Sequence, residues 1–198
     1  GVANAVSAIE GQVFAGTGEN ASGVSYATVI VSNTDPPTAT ISGTFNGFKT
    51  NDIFGETNYA YLATDNNFKE IEITNLTTNP YSEAGYFNAP GNGSGESIFV
   101  SGTIGYMTRR NTLYTFDLSS KSGFRPQLAS ITLDGVGKSI FVIDNYVYVA
   151  IGDSSIELDI IQVSNGGSTL TKVGTADVNS ASGRDAFVNP SASRAYLV

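Results

Sequence analysis

Short apolar stretches alternate with polar residues along the whole chain, and Gly, Asn, Pro or Ser separates one stretch from the next. In the stretch Glu70–Thr74, isoleucines at 71 and 73 alternate with polar residues at 70, 72 and 74. A two-residue period is typical of β-strands, because successive side chains point to opposite faces of a sheet. No stretch keeps the 3.6-residue apolar period of an α-helix. The pattern predicts an all-β fold with little or no helix.

The strands recur in register along the chain. An aromatic residue within a short apolar strand returns at intervals of 47, 45, 42 and 48 residues, as Phe14, Tyr61, Tyr106, Tyr148 and Tyr196. An apolar residue lies eight positions before each of the first four aromatics and ten before the fifth, as Val6, Ile53, Ile98, Ile140 and Ala186. A third series precedes a Ser or Thr at the end of another strand, as Val31, Ile73, Leu118 and Val163. Three series in register indicate a structural repeat.

Each repeat contains four predicted strands. In the second unit these are Asp52–Gly55, Tyr59–Thr64, Glu70–Thr74 and approximately Ala84–Phe87. Repeated four-stranded units of this length are typical of β-propeller blades. The repeat therefore predicts one β-propeller domain over residues 1–198, with blades at 2–46, 47–92, 93–135 and 136–181 and a partial blade at 182–198. A β-sandwich with evenly spaced strands is the alternative.

The phase of the two ends predicts a fragment of a longer array. The first unit supplies four strands of its own, so the last seventeen residues begin a fifth blade instead of completing the first. A blade that stopped after two strands would leave an open apolar edge around Tyr196, which favours aggregation. A closed ring of four blades with an added hairpin, or closure through a second chain, remains the alternative.

Three stretches resemble one known family. They are GETNYAYLATDNNFKEIEITNLTTNPYSEAGYF, IFVSGTIGYMTRRNTLYTFDLSS and IFVIDNYVYVAIGDSSIELDIIQVSN. They are similar to the LVIVD-repeat propellers of bacterial and archaeal cell-surface proteins, although the Asp before the end of the third strand remains only at Asp117. The resemblance implies a module that is secreted or displayed at the cell surface, usually joined to other domains of a longer polypeptide. It implies no shared active site.

Composition narrows the functional classes. The 10 Lys and Arg residues against 18 Asp and Glu residues give a net charge of −8, without the basic surface that nucleic acids require. The sequence contains no Cys and no His, which excludes thiolate catalysis, Cys-ligated zinc and a His-dependent triad. No apolar run is long enough for direct membrane insertion. We expect no metal and no cofactor.

The candidate ligand-binding residues lie where the repeat keeps its frame and changes its chemistry. We label the four strands of a blade A to D in chain order. In a propeller, the connections between strands B and C, and from strand D to the next strand A, share one face with the channel mouth. We expect ligand contacts on that face two positions before each residue of the second series, which begins with Val6 and Ile53, and at an adjacent basic pair. These residues are Asn4, Asn51, Glu96, Lys138, Arg184, Arg109 and Arg110. Solvated turns, with an ion pair between Glu96 and Lys138, are the favoured alternative for the series, and a solvated turn explains the arginine pair equally well.

Three functions remain open. The first is a non-enzymatic extracellular module that binds protein or glycan through its loop face. The second is a propeller hydrolase or lyase with carboxylates at the channel mouth, and Glu96 is its first candidate. The carboxylate pairs Glu70/Glu72 and Glu157/Asp159 are expected to lie on the surface. The third is a subunit of a surface filament, joined through open strand edges.

Overall fold

The computed structural model describes residues 3–9, 11–17, 26–32, 34–153, 155–178, 181–189, 191 and 194–198. These residues form nineteen strands and one 3₁₀ turn, Asn165–Gly167, and they contain no α-helix. The prediction of an all-β fold is therefore confirmed. The chain divides into two compact units, one formed by Gly1–Gly95 with Lys121–Phe124 and the other by Glu96–Ser120 with Arg125–Val198.

The strands form five sheets in chain order. Sheet I contains β1 (Ala3–Ile9), β2 (Gln12–Thr17), β3 (Tyr26–Val31) and β4 (Ala39–Phe45). Sheet II contains β5 (Thr50–Gly55), β6 (Tyr59–Thr64), β7 (Ile71–Asn75) and β8 (Ser82–Phe87). Sheet III contains β9 (Ser97–Ser101), β10 (Ile104–Arg109), β11 (Thr112–Asp117) and β13 (Gln127–Thr132), and β12 (Gly123–Phe124) pairs with sheet II. Sheet IV contains β14 (Gly137–Ile143), β15 (Tyr146–Ile151), β16 (Leu158–Ser164) and β17 (Thr169–Ala176), and sheet V contains β18 (Ala186–Asn189) and β19 (Arg194–Leu197).

Each of the first four sheets is an antiparallel meander of strands that we call A to D in chain order. Each meander lies within one of the repeat units of the sequence, and sheet V supplies strands A and B of the last unit. Strand B of the second unit, Tyr59–Thr64, has the predicted bounds, and the other three strands of that unit differ by one or two residues at their ends. In such a meander the A–B and C–D turns lie at one end of the strands, and the B–C and D–A connections lie at the other end. We call these two ends of the strands the two edges of the sheet.

A short fifth strand extends sheet II and has no counterpart in the repeat. Gly123 and Phe124 pair in parallel with Gly85 and Tyr86 of β8. A Cβ atom on Gly85 would lie 2.5 Å from the carbonyl oxygens of Lys121 and Gly123, so this close approach depends on glycine. The strand also brings Phe124 to the Tyr86 ring, with ring centroids 5.8 Å apart.

The first two residue series meet at the junctions between sheets. Within each of the two compact units, the aromatic of strand B packs into an apolar cluster that contains the strand A residue of the following sheet. The pairs are Phe14 with Ile53, Tyr106 with Ile140, and Tyr148 with Ala186. The first two series of the repeat therefore consist of residues that pack together where one sheet meets the next.

The C–D turn of the following sheet closes the same junctions. In the first compact unit, the hydroxyl of Tyr81, just before β8, lies 2.7 Å from the Thr28 hydroxyl in strand C of sheet I. In the second compact unit, the buried Thr115 in strand C of sheet III donates a hydrogen bond of 2.7 Å to the Gly167 carbonyl in the C–D turn of sheet IV. Thr28 and Thr115 lie opposite the aromatics Phe14 and Tyr106 in their own sheets, so the two contacts are equivalent.

In the second repeat unit the third series is wrong by three residues, because the residue equivalent to the others is Leu76 and not Ile73. In every four-stranded sheet, one apolar residue at the end of strand C donates its backbone N–H to a carbonyl in the A–B turn. These donors are Val31, Leu76, Leu118 and Val163. Ile73 instead pairs with Tyr61 across strands B and C. Both Ile73 and Leu76 are apolar and precede a polar residue, so the sequence pattern alone does not separate them.

Candidate functional site

Two of the predicted site residues connect one sheet to the next. Asn4 in β1 donates its side-chain amide to the Thr50 carbonyl at 3.2 Å. Asn51 in β5 donates its amide to the Gly95 carbonyl at 2.9 Å. Each acceptor is the residue immediately before the next position of the same series, so the two asparagines form equivalent backbone contacts. These contacts account for both amides without a ligand.

The charged members of the same series do not form such contacts. Glu96 is half-buried directly before β9, Lys138 is exposed in β14, and Arg184 is exposed before β18. The structure shows no ion pair between Glu96 and Lys138, both of which lie in the described part of the chain. The Lys138 side chain instead lies along Gly152, where a Cβ atom would be 2.9 Å from its Cε.

The adjacent arginines lie in different environments. Arg109 ends β10 and is buried, and its Nη2 donates a hydrogen bond of 2.6 Å to the Tyr114 hydroxyl. Its guanidinium carbon lies 5.0 Å from the centroid of the Tyr114 ring, which is a cation–π contact. Arg110 is exposed in the turn, with a positive φ of 51°. The two side chains therefore do not form one exposed clamp, and Arg109 serves the interior of sheet III.

The carboxylate pair Glu70/Glu72 was expected on the surface, and this expectation is wrong. Both side chains are buried at strand C of sheet II. Glu70 Oε2 accepts the backbone N–H of Ala89 at 2.9 Å, just after strand D. Burial, followed by the neighbouring Glu83 carboxylate, raises the pKa of Glu72 to about 8 against the opposing effect of Lys69. Lys69 itself forms an ion pair with Glu83.

The pair Glu157/Asp159 repeats this arrangement in sheet IV and is likewise buried. Glu157 Oε2 accepts the backbone N–H of Val178 at 2.7 Å, again just after strand D. Asp159 Oδ2 accepts the backbone N–H of Asp134 at 2.9 Å and lies 3.2 Å from Lys172 Nζ. Burial raises the pKa of Asp159, and the hydrogen bonds from Asp134 and Lys172 oppose this change.

These carboxylates hold the connections between strands in place. Glu70 and Glu157 each fix the chain as it leaves strand D, and Asp159 fixes the connection that enters β14. In sheet III, Tyr114 occupies the strand C position equivalent to Asp159, and its hydroxyl accepts a hydrogen bond from Arg109. The described residues contain no group of three His, Cys, Asp or Glu side chains that could hold a metal ion.

An open cleft lies between sheets IV and V of the second compact unit, at the edge with the A–B and C–D turns. Its volume is about 440 Å³, which is within the range of small-ligand sites. Tyr146 and Tyr148 alternate along β15, so their rings lie on the same side of the sheet. Asp144 of the A–B turn and Arg194 of β19 add one charge of each sign to the lining. Ile143, Val188 and Ala195 complete it.

A second cleft of about 350 Å³ lies between sheets III and IV and shares Asp144 with the first. Asn145 and the C–D turn Asn165–Gly167 contribute mostly polar groups to its lining. Asp144 has a positive φ of 51°, which Asp and Asn adopt more readily than most residues. The A–B turn of sheet IV therefore places one carboxylate at the border of both clefts.

The clefts were not predicted from the sequence. The predicted residues lie at the edge with the D–A and B–C connections, and both clefts open at the edge with the A–B and C–D turns. A signal was present, because two tyrosines alternate directly after an Asp–Asn turn at 144–145. Aromatic rings with a carboxylate and a guanidinium can stack on a ligand and hydrogen-bond to its polar groups. The first cleft is the candidate functional site.

Comparison with known proteins gives one family match. Residues 134–177 match the LVIVD repeat. No curated protein matches the sequence. No helix in the described part of the chain is long and apolar enough to cross a membrane.

Solved structures show the same fold at low sequence identity. The computationally designed protein Ika8 is 9% identical, with a TM-score of 0.62 over 94% of this chain and 65% of that one. The "putative 6-phosphogluconolactonase" of Bacteroides uniformis is 12% identical, with a TM-score of 0.69 over 99% of this chain and 57% of that one. The designed protein Ika4 is 11% identical, with a TM-score of 0.58 over 87% of this chain and 92% of that one.

This chain thus spans less than two thirds of the length of Ika8 and of the Bacteroides uniformis protein. At these identities the similarity concerns the fold alone. The segment that matches the family contains β14 to β17 and the Asp144 turn. Residues 134–177 match the LVIVD repeat, and they contain the four-stranded antiparallel sheet IV.

Proposed function

We propose that the sheets are blades of a β-propeller that acts as a non-enzymatic binding module outside the cell or at its surface. The LVIVD match supports the propeller, because LVIVD repeats form propeller-like repeats. The regular junctions between consecutive sheets within each unit also support it. The resemblance to cell-surface LVIVD proteins supports the location.

The ligand class that fits the first cleft best is a glycan. The observation that carries this proposal is the pair of tyrosines on one face of β15, between Asp144 and Arg194. Sugar rings present apolar faces that stack on aromatic side chains, and hydroxyl groups that bond to carboxylates and guanidinium groups. Tyr146 is the more accessible of the two rings, because 38% of its surface is exposed. Arg194 favours glycans that carry a carboxylate or sulfate.

The test is a glycan array of neutral, uronic-acid and sulfated oligosaccharides, followed by calorimetry with the best binder. We expect Tyr146→Ala to weaken binding by about tenfold or more, because it removes the stacking surface. Arg194→Gln should weaken binding of acidic glycans more than binding of neutral ones. Phe68→Ala is the matched control, because this aromatic is exposed elsewhere on the chain and should leave binding unchanged.

Three results would contradict the proposal. Binding that Tyr146→Ala and Arg194→Gln leave unchanged would place the ligand outside the cleft. Release of reducing sugar from the bound glycan, lost in a carboxylate variant such as Glu96→Gln, would make the module a hydrolase. An array without any binder, together with a saturable protein partner whose binding requires Tyr146, would replace the glycan with a protein at the same site.

A further inference from the structure

The second cleft, between sheets III and IV, contains polar groups that the fold leaves without partners. Tyr106 lines this cleft and is only 3% exposed, and its hydroxyl has no hydrogen-bond partner in the described part of the chain. Asp144 and Ser164 line the cleft as well, and their side chains form no hydrogen bond with any described residue. A buried hydroxyl group without a partner gives up a hydrogen bond that water would otherwise supply, so it favours a ligand that restores the bond.

The cleft lies within one compact unit and between two complete sheets. All of its lining residues belong to the second compact unit, and sheets III and IV each have four strands. Its walls therefore depend neither on the ends of the sequence nor on the first compact unit.

The equivalent tyrosine of sheet II shows which partner the Tyr106 hydroxyl lacks. Tyr61 occupies the same strand B position, and its hydroxyl donates a hydrogen bond of 2.7 Å to Glu56 Oε2. Glu56 lies five residues before Tyr61, and Ser101 lies five residues before Tyr106. The serine side chain is shorter than that of glutamate, and Ser101 lines the cleft without bonding to Tyr106. A ligand oxygen in the cleft can therefore take the place that a carboxylate of the chain fills in sheet II.

The lining of the second cleft fits a neutral sugar residue. Ile104 and Val163 provide apolar surface for the apolar face of a sugar ring. Asp144 is the only charged residue among those that line the cleft in the described structure, so an anionic group would be repelled. Burial raises the pKa of Tyr106, so the phenol keeps its proton and can donate a hydrogen bond. Three hydroxyl groups can each donate to or accept from sugar hydroxyls, and they belong to Ser101, Tyr106 and Ser164.

Asp144 connects this cleft with the first one. It borders both clefts, because the A–B turn of sheet IV lies between them. Each of the two oxygens of a carboxylate can accept hydrogen bonds, so Asp144 can bond to hydroxyl groups of two neighbouring sugar residues. The first cleft adds the positive charge of Arg194, whereas the second adds only neutral groups. The two clefts therefore favour different residues of one chain of sugars.

We propose that the second cleft is a subsite of the glycan site and holds a neutral sugar residue, bound through the Tyr106 hydroxyl and the Asp144 carboxylate. The ligand is then an oligosaccharide. Its acidic residue lies beside Arg194, and its neutral residues continue past the A–B turn of sheet IV into the cleft between sheets III and IV. This inference rests on the proposed function, since it extends the ligand of the first cleft into the second.

The experiment measures by calorimetry the binding of glucuronic acid alone and of oligosaccharides in which it carries neutral glucose residues. We expect the affinity to rise by about tenfold or more with probe length, because only the longer probes reach the second cleft. Tyr106→Phe keeps the ring and removes the hydroxyl. It should weaken binding of the longest probe by about three- to tenfold and leave binding of glucuronic acid unchanged. Tyr59→Phe is the matched control, because Tyr59 lines neither cleft.

A second variant fills the cleft with the partner that sheet II contains. Ser101→Glu should place a carboxylate beside the Tyr106 hydroxyl, as Glu56 lies beside Tyr61. It should remove the gain in affinity from the neutral residues, while glucuronic acid still binds. Ser130→Glu adds the same charge at an exposed serine of β13 and should bind every probe like the wild type. Urea unfolding checks that the variants fold, and Ser101→Gln replaces Ser101→Glu if that variant does not.

The outcomes separate this inference from the proposed function. An affinity that does not rise with probe length, or a gain that survives both Tyr106→Phe and Ser101→Glu, would overturn the subsite even if binding still required Tyr146. A gain that requires Tyr106, while Tyr146→Ala and Arg194→Gln change nothing, would support a sugar site in the second cleft and overturn the proposed site in the first. If none of the probes bound, the subsite proposal would fall, and the glycan array would decide the proposed function separately.

Discussion

Replacing the buried Glu72 with glutamine should remove a pH dependence from the stability of the first compact unit. Glu72 lies in strand C of sheet II, and burial and Glu83 raise its pKa from 4.5 to about 8. Glutamine has nearly the same shape and no charge. Its side-chain carbonyl can still accept the Phe48 backbone hydrogen bond, and its amide can donate towards Glu83. The variant therefore separates the effect of charge from that of packing.

The size of the effect follows from the pKa. One pKa unit corresponds to about 1.4 kcal/mol, so the shift from 4.5 to about 8 corresponds to roughly 5 kcal/mol. Between these two values the folded chain holds a proton that the unfolded chain has released. The free energy of unfolding of the wild type therefore falls as the pH rises through this window. The loss is roughly 3 kcal/mol at pH 7 and is nearly complete above about pH 8.

The assay is urea unfolding at pH 5, 6, 7, 8 and 9, followed by tyrosine fluorescence and circular dichroism because the chain has no tryptophan. We expect Glu72→Gln to match the wild type near pH 5 and to be more stable by several kcal/mol near pH 9. Glu96→Gln is the control for loss of one carboxylate outside strand C. If the curves of the wild type and Glu72→Gln run parallel from pH 5 to 9, Glu72 does not hold a proton in the fold and the reasoning is refuted.

Three further substitutions test the packing of the sheets by urea unfolding. Thr115→Val removes the hydrogen bond to the Gly167 carbonyl and should lower the free energy of unfolding by about 1–2 kcal/mol. Gly55→Ala places a Cβ atom 2.2 Å from the Phe14 ring and should cost about 1–3 kcal/mol. Lys172→Met leaves the buried strand C aspartate of sheet IV without its cation and should cost about 1–3 kcal/mol, more at high pH than at low pH.

Matched controls exist for two of these changes. Gly174→Ala is expected to be tolerated, because its Cβ atom would lie 3.4 Å from Ile160, near ordinary contact distance. Lys138→Met removes an exposed lysine that forms no ion pair among the described residues, and should change stability by less than about 0.5 kcal/mol. If Gly55→Ala were as stable as Gly174→Ala, or Lys172→Met as stable as Lys138→Met, the packing and ion-pair arguments would each be wrong.

The strands could be predicted because their sequence pattern follows from the junction contacts. Phe14 and Tyr106 recur since each must fill the space against the next sheet, and Ile53 and Ile140 recur since each receives such a ring. This requirement repeats at the junctions within the two compact units, so it appears as a period in the sequence. The pairing of β12 with sheet II could not be predicted, because it follows from one close approach at Gly85 and occurs once.

The burial of the strand C carboxylates could not be predicted from alternation. Polar residues at 70 and 72 indicate an outer face, since alternation usually separates a buried face from a solvated one. In sheets II and IV the part of strand C next to these carboxylates is buried or half-buried on both faces, and the carboxylates accept backbone N–H groups. The acceptors and donors are far apart in sequence, and only the fold brings them together.

The two edges of the sheets have different roles, and this difference bears on where a ligand can bind. At the edge with the D–A and B–C connections, Glu70, Glu157 and Asp159 hold the backbone in place, each through one carboxylate oxygen that accepts a backbone N–H. At the edge with the A–B and C–D turns, Tyr146 keeps an accessible ring beside an open cleft. Binding at the first edge would have to compete with bonds that maintain the fold, whereas binding at the second adds contacts without breaking any. For this reason the site is expected at the A–B turn of sheet IV, opposite the face that the sequence favoured.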